Sequence, residues 1–159
     1  MAIGLGMALA ALAAGISIGM AGLSSSIGVG LAGIAGAGAV AENPKQFRTA
    51  LVLEALPQTQ AVYGLLGAIL IMLSVGMFQT PLQEVSVMTG VAVLGVSIAI
   101  GITSFSAVAQ GAIATAGITA SAKQPAAFGK FVVLAAMAET FAIFGLAGGV
   151  LILIGLGLL

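Results

Sequence analysis

Between Phe131 and Leu159 the chain carries a single ionisable side chain, Glu139, in a run otherwise apolar enough and long enough to cross a bilayer. A membrane-spanning helix needs ~20 mostly apolar residues. An ionisable group near its middle costs at least ~2.5 kcal/mol and is kept there by buried partners or by a task. Whatever this chain folds into must therefore provide both a membrane-crossing helix for Glu139 and neighbours that meet it at depth.

The remaining charges are Glu42, Lys45, Arg48, Glu54, Glu84, Lys123 and Lys130, and the stretches between and beyond their clusters are again of membrane-spanning length. Charged residues make up 5% of the chain and mean hydropathy is +1.31, whereas a soluble domain carries roughly 25% charged residues. The chain is read as a membrane protein. It has no cysteine and no histidine, which excludes disulfides and thiolate or imidazole metal sites. Net charge is zero with no basic run, so nothing points to nucleic acid. No G-x-x-x-x-G-K-[ST] loop is present, so the chain is not expected to hydrolyse nucleotides and is not itself an enzyme. Met1 to Gly15 lacks the basic flank of a secretory signal and reads as the start of a retained first helix.

Polar punctuation closes on a proline at Glu42-Asn43-Pro44, Phe78-Gln79-Thr80-Pro81 and Lys123-Gln124-Pro125. Proline suits the first turn of a helix, where its missing amide hydrogen would be unpaired anyway. The expected class is an all-α membrane protein with helices over about 2–41, 44–78, 81–121 and 125–159. Short loops make neighbours antiparallel, giving two hairpins, 1–80 and 81–159. Glu84 is expected as a solvated helix N-terminal charge.

The hairpins read as tandem copies. At an offset of 81 residues Asn43-Pro44 falls on Gln124-Pro125, Val52-Leu53 on Val133-Leu134, and Thr59, Gly64 and Gly67 on Thr140, Gly145 and Gly148. Tyr63 falls on Phe144. A repeat of two helices crosses the membrane in the same direction each time, unlike the inverted repeats of many transporters. The copies diverge where Glu139 falls on Gln58 and Gln110 on Val29. Lys45 and Arg48 flank the first loop and Lys123 and Lys130 the third, which predicts that both loops face the cytoplasm and the termini face the opposite side. Helices 1 and 3 are rich in glycine, alanine and serine, including Gly15, Gly19 and Gly22, and small residues at such spacings allow close helix approach in lipid. This suits a ring-like assembly with a crowded inner wall, or alternatively a self-contained four-helix bundle.

Leu56, Thr59, Gln60 and Tyr63 are spaced i, i+3, i+4 and i+7, one face of helix 2. Counted from the prolines at the same membrane side, Thr59 and Glu139 lie at nearly the same depth, about 21–23 Å in, and Gln110 about 20 Å from that end of helix 3. The chemistry gathered there is oxygen: a carboxylate, two amides, a hydroxyl, a phenol and a backbone carbonyl freed near Pro57. Hard cations take oxygen ligands, and one carboxylate among neutral oxygens balances a monovalent ion better than calcium or magnesium. Two other readings stand beside the cation site: a polar network that glues helices together, and proton carriage by Glu139 alone. Glu54 falls off the polar stripe and is expected to reach the interface or a neighbouring chain.

At these residues the chain resembles the proteolipid (c/K) rotor-ring subunits of vacuolar- and archaeal-type rotary ATPases, and most of all their sodium-transporting branch, with its L-P-x-T-Q-x-x-Y stretch, here Leu56 to Tyr63, together with Gln110 and Glu139. The resemblance implies a homo-oligomeric ring that binds sodium through the Leu56 carbonyl, Thr59, Gln60, Gln110 and Glu139, with Tyr63 locking Glu139. It further implies a stator membrane protein that supplies an arginine, central-stalk subunits at the cytoplasmic loops, lipid around the ring, and no organic cofactor. A proton-carrying member of the same ring class and a small secondary cation transporter remain the alternatives.

Overall fold

The computed structural model describes residues 3–159, all helical or loop, with four helices long and apolar enough to cross a membrane: Leu5–Glu42, Pro44–Ser74, Val87–Lys123 and Pro125–Gly155. In lipid every backbone amide must be satisfied within its own segment, so apolar runs of this length fold as helices whatever their glycine content. The first span is one unbroken helix, α1 (Leu5–Glu42). The second is divided into α2 (Phe47–Ala55) and α3 (Thr59–Ser74), the third into α4 (Val87–Thr103) and α5 (Ser106–Lys123), and the fourth into α6 (Phe128–Ala136) and α7 (Thr140–Gly155). At 38 residues, α1 is about 57 Å long and overreaches the hydrocarbon core.

The first and third loops begin their helices as expected. Pro44 and Pro125 each open a short 3-10 turn, and the Asn43 side chain accepts the Lys45 N–H at 3.1 Å. The middle loop differs from expectation. The second span ends at Ser74, not near 78, and Gly76 follows it with φ 66, a left-handed conformation suited to a residue without Cβ. The third span starts at Val87, not at Pro81. Its cap is Ser86, whose hydroxyl accepts the Thr89 N–H at 3.0 Å. Glu84 accordingly lies in the loop before the cap and outside the first helical turn. The first helix starts at Leu5, with Gly4 as its cap, and the expected start at residue 2 lies outside the described residues.

The first span packs against α3, α4 and α5, while α4 meets α7 and α5 meets α6. Glycine makes the inner contact possible. A methyl group at Gly111 would run into the Gly28 backbone, and one at Gly28 into the Ala107 carbonyl. The trio Gly15, Gly19 and Gly22, expected to bring helices together, instead faces open space within the protomer.

Two apolar clusters form the core, one of Met7, Ala10, Ala13, Ile71, Val75, Val93, Val96, Ile100 and Leu153, the other of Ala32, Ala39, Ala50, Leu53, Ala114, Ile118 and Ala135. Between them along the spans lies a buried polar layer containing Ser17, Ser24, Gln60, Ser104 and Gln110. All three interruptions of the spans, at Leu56–Gln58, Ser104–Phe105 and Met137–Glu139, fall in this layer. Short 3-10 stretches inside long helices mark hinges and functional sites.

Candidate functional site

Pro57 has no amide hydrogen to give, so the second span tightens into a 3-10 turn, Leu56–Gln58, before resuming as α3. The Leu56 carbonyl is thereby taken by Thr59 rather than freed: it accepts the Thr59 backbone N–H, and the Thr59 hydroxyl lies 3.0 Å away. That hydroxyl also stands 3.2 Å from Gln60 Oε1. Leu56 O, Thr59 Oγ1 and Gln60 Oε1 thus crowd together with one hydroxyl proton, which can satisfy only one of its two acceptors at a time.

The other end of the Gln60 amide fixes that arrangement. Gln60 Nε2 donates to Gln110 Oε1 at 2.7 Å and stands 3.5 Å from Ser106 Oγ. Both glutamines are fully buried. With its nitrogen committed to the third span, Gln60 must aim its oxygen at Thr59. Gln110 Oε1 keeps a second lone pair, while its own Nε2 is buried without a partner. A buried amide left unpaired costs ~1–3 kcal/mol, so it is a feature that needs a reason.

Glu139 closes the 3-10 turn Met137–Glu139 of the fourth span and is half-buried. Tyr63, one turn beyond Thr59 and Gln60 on the second span, donates its hydroxyl to Glu139 Oε1 at 2.6 Å. Tyr63 and Glu139 thus form a polar seam between the second and fourth spans, while Thr59 and Gln60, on the same helix face as Tyr63, are tied to the third span through Gln110. Among the described residues no three of Asp, Glu, His and Cys lie together. The donor set is one carboxylate and neutral oxygens, which in net charge fits a monovalent cation rather than calcium or magnesium.

Glu54 lies off the stripe of Thr59 and Gln60, as its spacing implied. Glu54 is half-buried and lies against the first span, its Oε1 2.9 Å from where a Cβ on Gly33 would stand. It lines an apolar groove of about 320 Å³ with Gly36, Val40, Phe47 and Leu51 and takes no part in the polar seam. Ser106 was not anticipated. The signal was its position four residues before Gln110, the spacing that puts two side chains on one helix face.

The sequence matches the ATP synthase C-subunit family twice, over residues 12–71 and 94–152. The two matched segments cover one hairpin each. The chain is 47% identical over 120 residues to the A-type ATP synthase K subunit of Methanocaldococcus jannaschii, across 76% of this chain and 52% of that protein. It is 39% identical over 141 residues to the V-type sodium ATPase K subunit of Enterococcus hirae, across 88% of this chain and 86% of that protein. It thus spans about half the length of the first relative and most of the second. Double matching along a duplicated pair of membrane hairpins, with one acid held at mid-span, identifies the chain as a member of the ATP synthase C-subunit family.

Proposed function

We propose that this chain is a non-catalytic component of the membrane rotor ring of a vacuolar- or archaeal-type rotary ATPase, and that each copy carries one sodium ion on Leu56 O, Thr59, Gln60, Gln110 and Glu139. The observation that carries the sodium reading is the cluster of oxygens Leu56 O, Thr59 Oγ1 and Gln60 Oε1, held by the Gln60–Gln110 bond. A proton carrier needs a carboxyl group alone, whereas three neutral oxygens gathered beside one another are the ligand type that hard cations take. Relatedness to a component of a V-type sodium ATPase agrees with it.

In this reading the ion neutralises Glu139 while the site faces lipid, and Tyr63 holds the carboxylate in place. At the stator an arginine from the partner displaces the ion and pairs with the bare carboxylate. A bare carboxylate cannot move into lipid cheaply, so each site reloads before it leaves. Rotation and transport are thereby linked, with ATP hydrolysed in a separate soluble head joined through stalk subunits at the first and third loops. Those loops are flanked by Lys45, Arg48, Lys123 and Lys130 and lie on the cytoplasmic side in this reading. Gln58 in place of a second acid leaves one ion per four helices, a low ion count per turn that favours pumping against a steep gradient.

The ring itself is supported by the faces the protomer leaves open, among them the flat strip of Gly15, Gly19 and Gly22 on the first span. The test is transport by the whole complex in sealed vesicles. ATP-driven uptake of radioactive sodium that resists a protonophore supports the proposal; sodium-independent, protonophore-sensitive acidification makes the chain a proton carrier, and cation exchange without ATP makes it a secondary transporter.

A further inference from the structure

The third span breaks although no proline stands in it. Its halves, α4 and α5, are separated only by Ser104 and Phe105, and the backbone there is tightened. The N–H groups of Phe105, Ala107 and Val108 donate to the carbonyls of Ile102, Ser104 and Phe105 at 3.1, 3.0 and 3.0 Å, three residues back rather than four. A 3-10 turn advances about 120° per residue and an α turn about 100°, so three such residues twist α5 by roughly 60° relative to an unbroken helix. The face so turned carries Ser106 and Gln110, four residues apart on α5, which stand 3.5 and 2.7 Å from Gln60 Nε2. Gln110 Nε2 is buried and unpaired, so the Gln110 side chain is held where it is by its backbone and by Gln60.

The break is held from outside the span. Ser24, fully buried on α1, sets its hydroxyl 2.8 Å from the Ser104 carbonyl and 3.0 Å from the Ala21 carbonyl, the shorter contact being the one to the third span. The Ser104 carbonyl therefore meets two donors, the Ala107 N–H and the Ser24 hydroxyl. In a regular helix it would instead take the N–H of Val108. One turn beyond Ser24, Gly28 has no room for a side chain against the Ala107 carbonyl, and this close approach keeps the Ser24 hydroxyl against the break.

Resting on the sodium-carrier reading, we propose that Ser24 is a positioning residue of the ion site: its hydroxyl holds the third span in the tightened form and so keeps Ser106 and Gln110 turned toward Gln60. The first span supplies no ligand in that reading, yet it sets where one of them stands. Without the hydroxyl the Ser104 carbonyl is free to take the Val108 N–H, the third span becomes regular, and the face carrying Gln110 swings away from Gln60. Gln60 Oε1 then loses the bond that aims it at Thr59.

The test compares two serines of the same helix in the purified native oligomer. Ser17 is also fully buried on α1 and its hydroxyl also donates to another span, to the Gly64 carbonyl at 2.9 Å, but Gly64 lies within the unbroken α3. The readout is the sodium concentration that half-protects Glu139 from a carbodiimide at fixed pH. Ser24→Ala should raise it about two- to tenfold, the range expected of one hydrogen bond, and leave labelling in the absence of sodium unchanged. Ser17→Ala should lower the temperature at which the oligomer dissociates about as far as Ser24→Ala does, with the sodium midpoint in place. An unmoved midpoint in Ser24→Ala, or equal shifts in both variants, overturns the role given to Ser24. Should Ser24→Ala yield no oligomer, Ser24→Cys keeps the bulk with a weaker donor and should raise the midpoint by about twofold; no change there overturns the role as well. If sodium fails to protect Glu139 in the unmodified chain, it is the sodium-carrier reading that falls, and the role of Ser24 with it.

Discussion

Tyr63 and Glu139, 76 positions apart in sequence, are joined by a 2.6 Å hydrogen bond between the second and fourth spans. Tyr63 donates and Glu139 accepts, and the bond joins the two hairpins close to the level where the interrupted spans break. The carboxylate is fastened by a side chain on the helix face that also carries Leu56, Thr59 and Gln60. That combination suits a carrier that must hold its ion through lipid and release it at one place.

Tyr63→Phe keeps the ring and removes only that bond. A hydrogen bond to a charged group contributes ~1.5–3 kcal/mol, so sodium affinity should fall roughly 10- to 100-fold. Sodium titration of carbodiimide protection in the intact oligomer measures it. An unchanged midpoint would mean that Tyr63 is packing rather than a lock.

Gln110→Leu removes one oxygen and releases Gln60 Nε2 from its 2.7 Å partner, so Gln60 Oε1 is no longer aimed at Thr59. Sodium affinity should fall by about tenfold or more, in line with the ~1–3 kcal/mol that one lost buried polar partner costs. Labelling of Glu139 by protonation at low sodium should persist. Loss of both together would point to a general collapse of the polar layer.

Gly111→Ala should prevent close packing of the first and third spans, because the added methyl would run into the Gly28 backbone. Overpacking of a filled contact costs ~1–3 kcal/mol and rises when backbone must move. The expected result is a lower yield of folded protein and a lower dissociation temperature, while Gly129→Ala, with no neighbour within 4 Å, behaves as wild type.

Much of the architecture was legible in the sequence because lipid leaves few choices: long apolar runs must be helices, and a repeat of Asn43-Pro44 at Gln124-Pro125 reveals the duplication. The middle loop was not legible. Pro81 and Ser86 both offer a helix start, and only the hydrogen bond from Thr89 to Ser86 decides between them. Within the site, the i, i+3, i+4, i+7 stripe put Thr59, Gln60 and Tyr63 on one face. It could not say that Gln60 and Gln110 bond directly to each other, since that depends on how closely the second and third spans approach. Nor could it reveal the 3-10 turn before Thr140, where no proline marks the break.

The most direct measurement is carbodiimide labelling of Glu139 in the purified native oligomer, titrated with sodium at fixed pH and ionic strength. The reagent attacks a protonated carboxyl, so an ion bound at Glu139 shields it. Protection by sodium, and none by potassium at equal ionic strength, is the result expected of a selective cation site. Labelling that follows pH alone, indifferent to sodium, would contradict it.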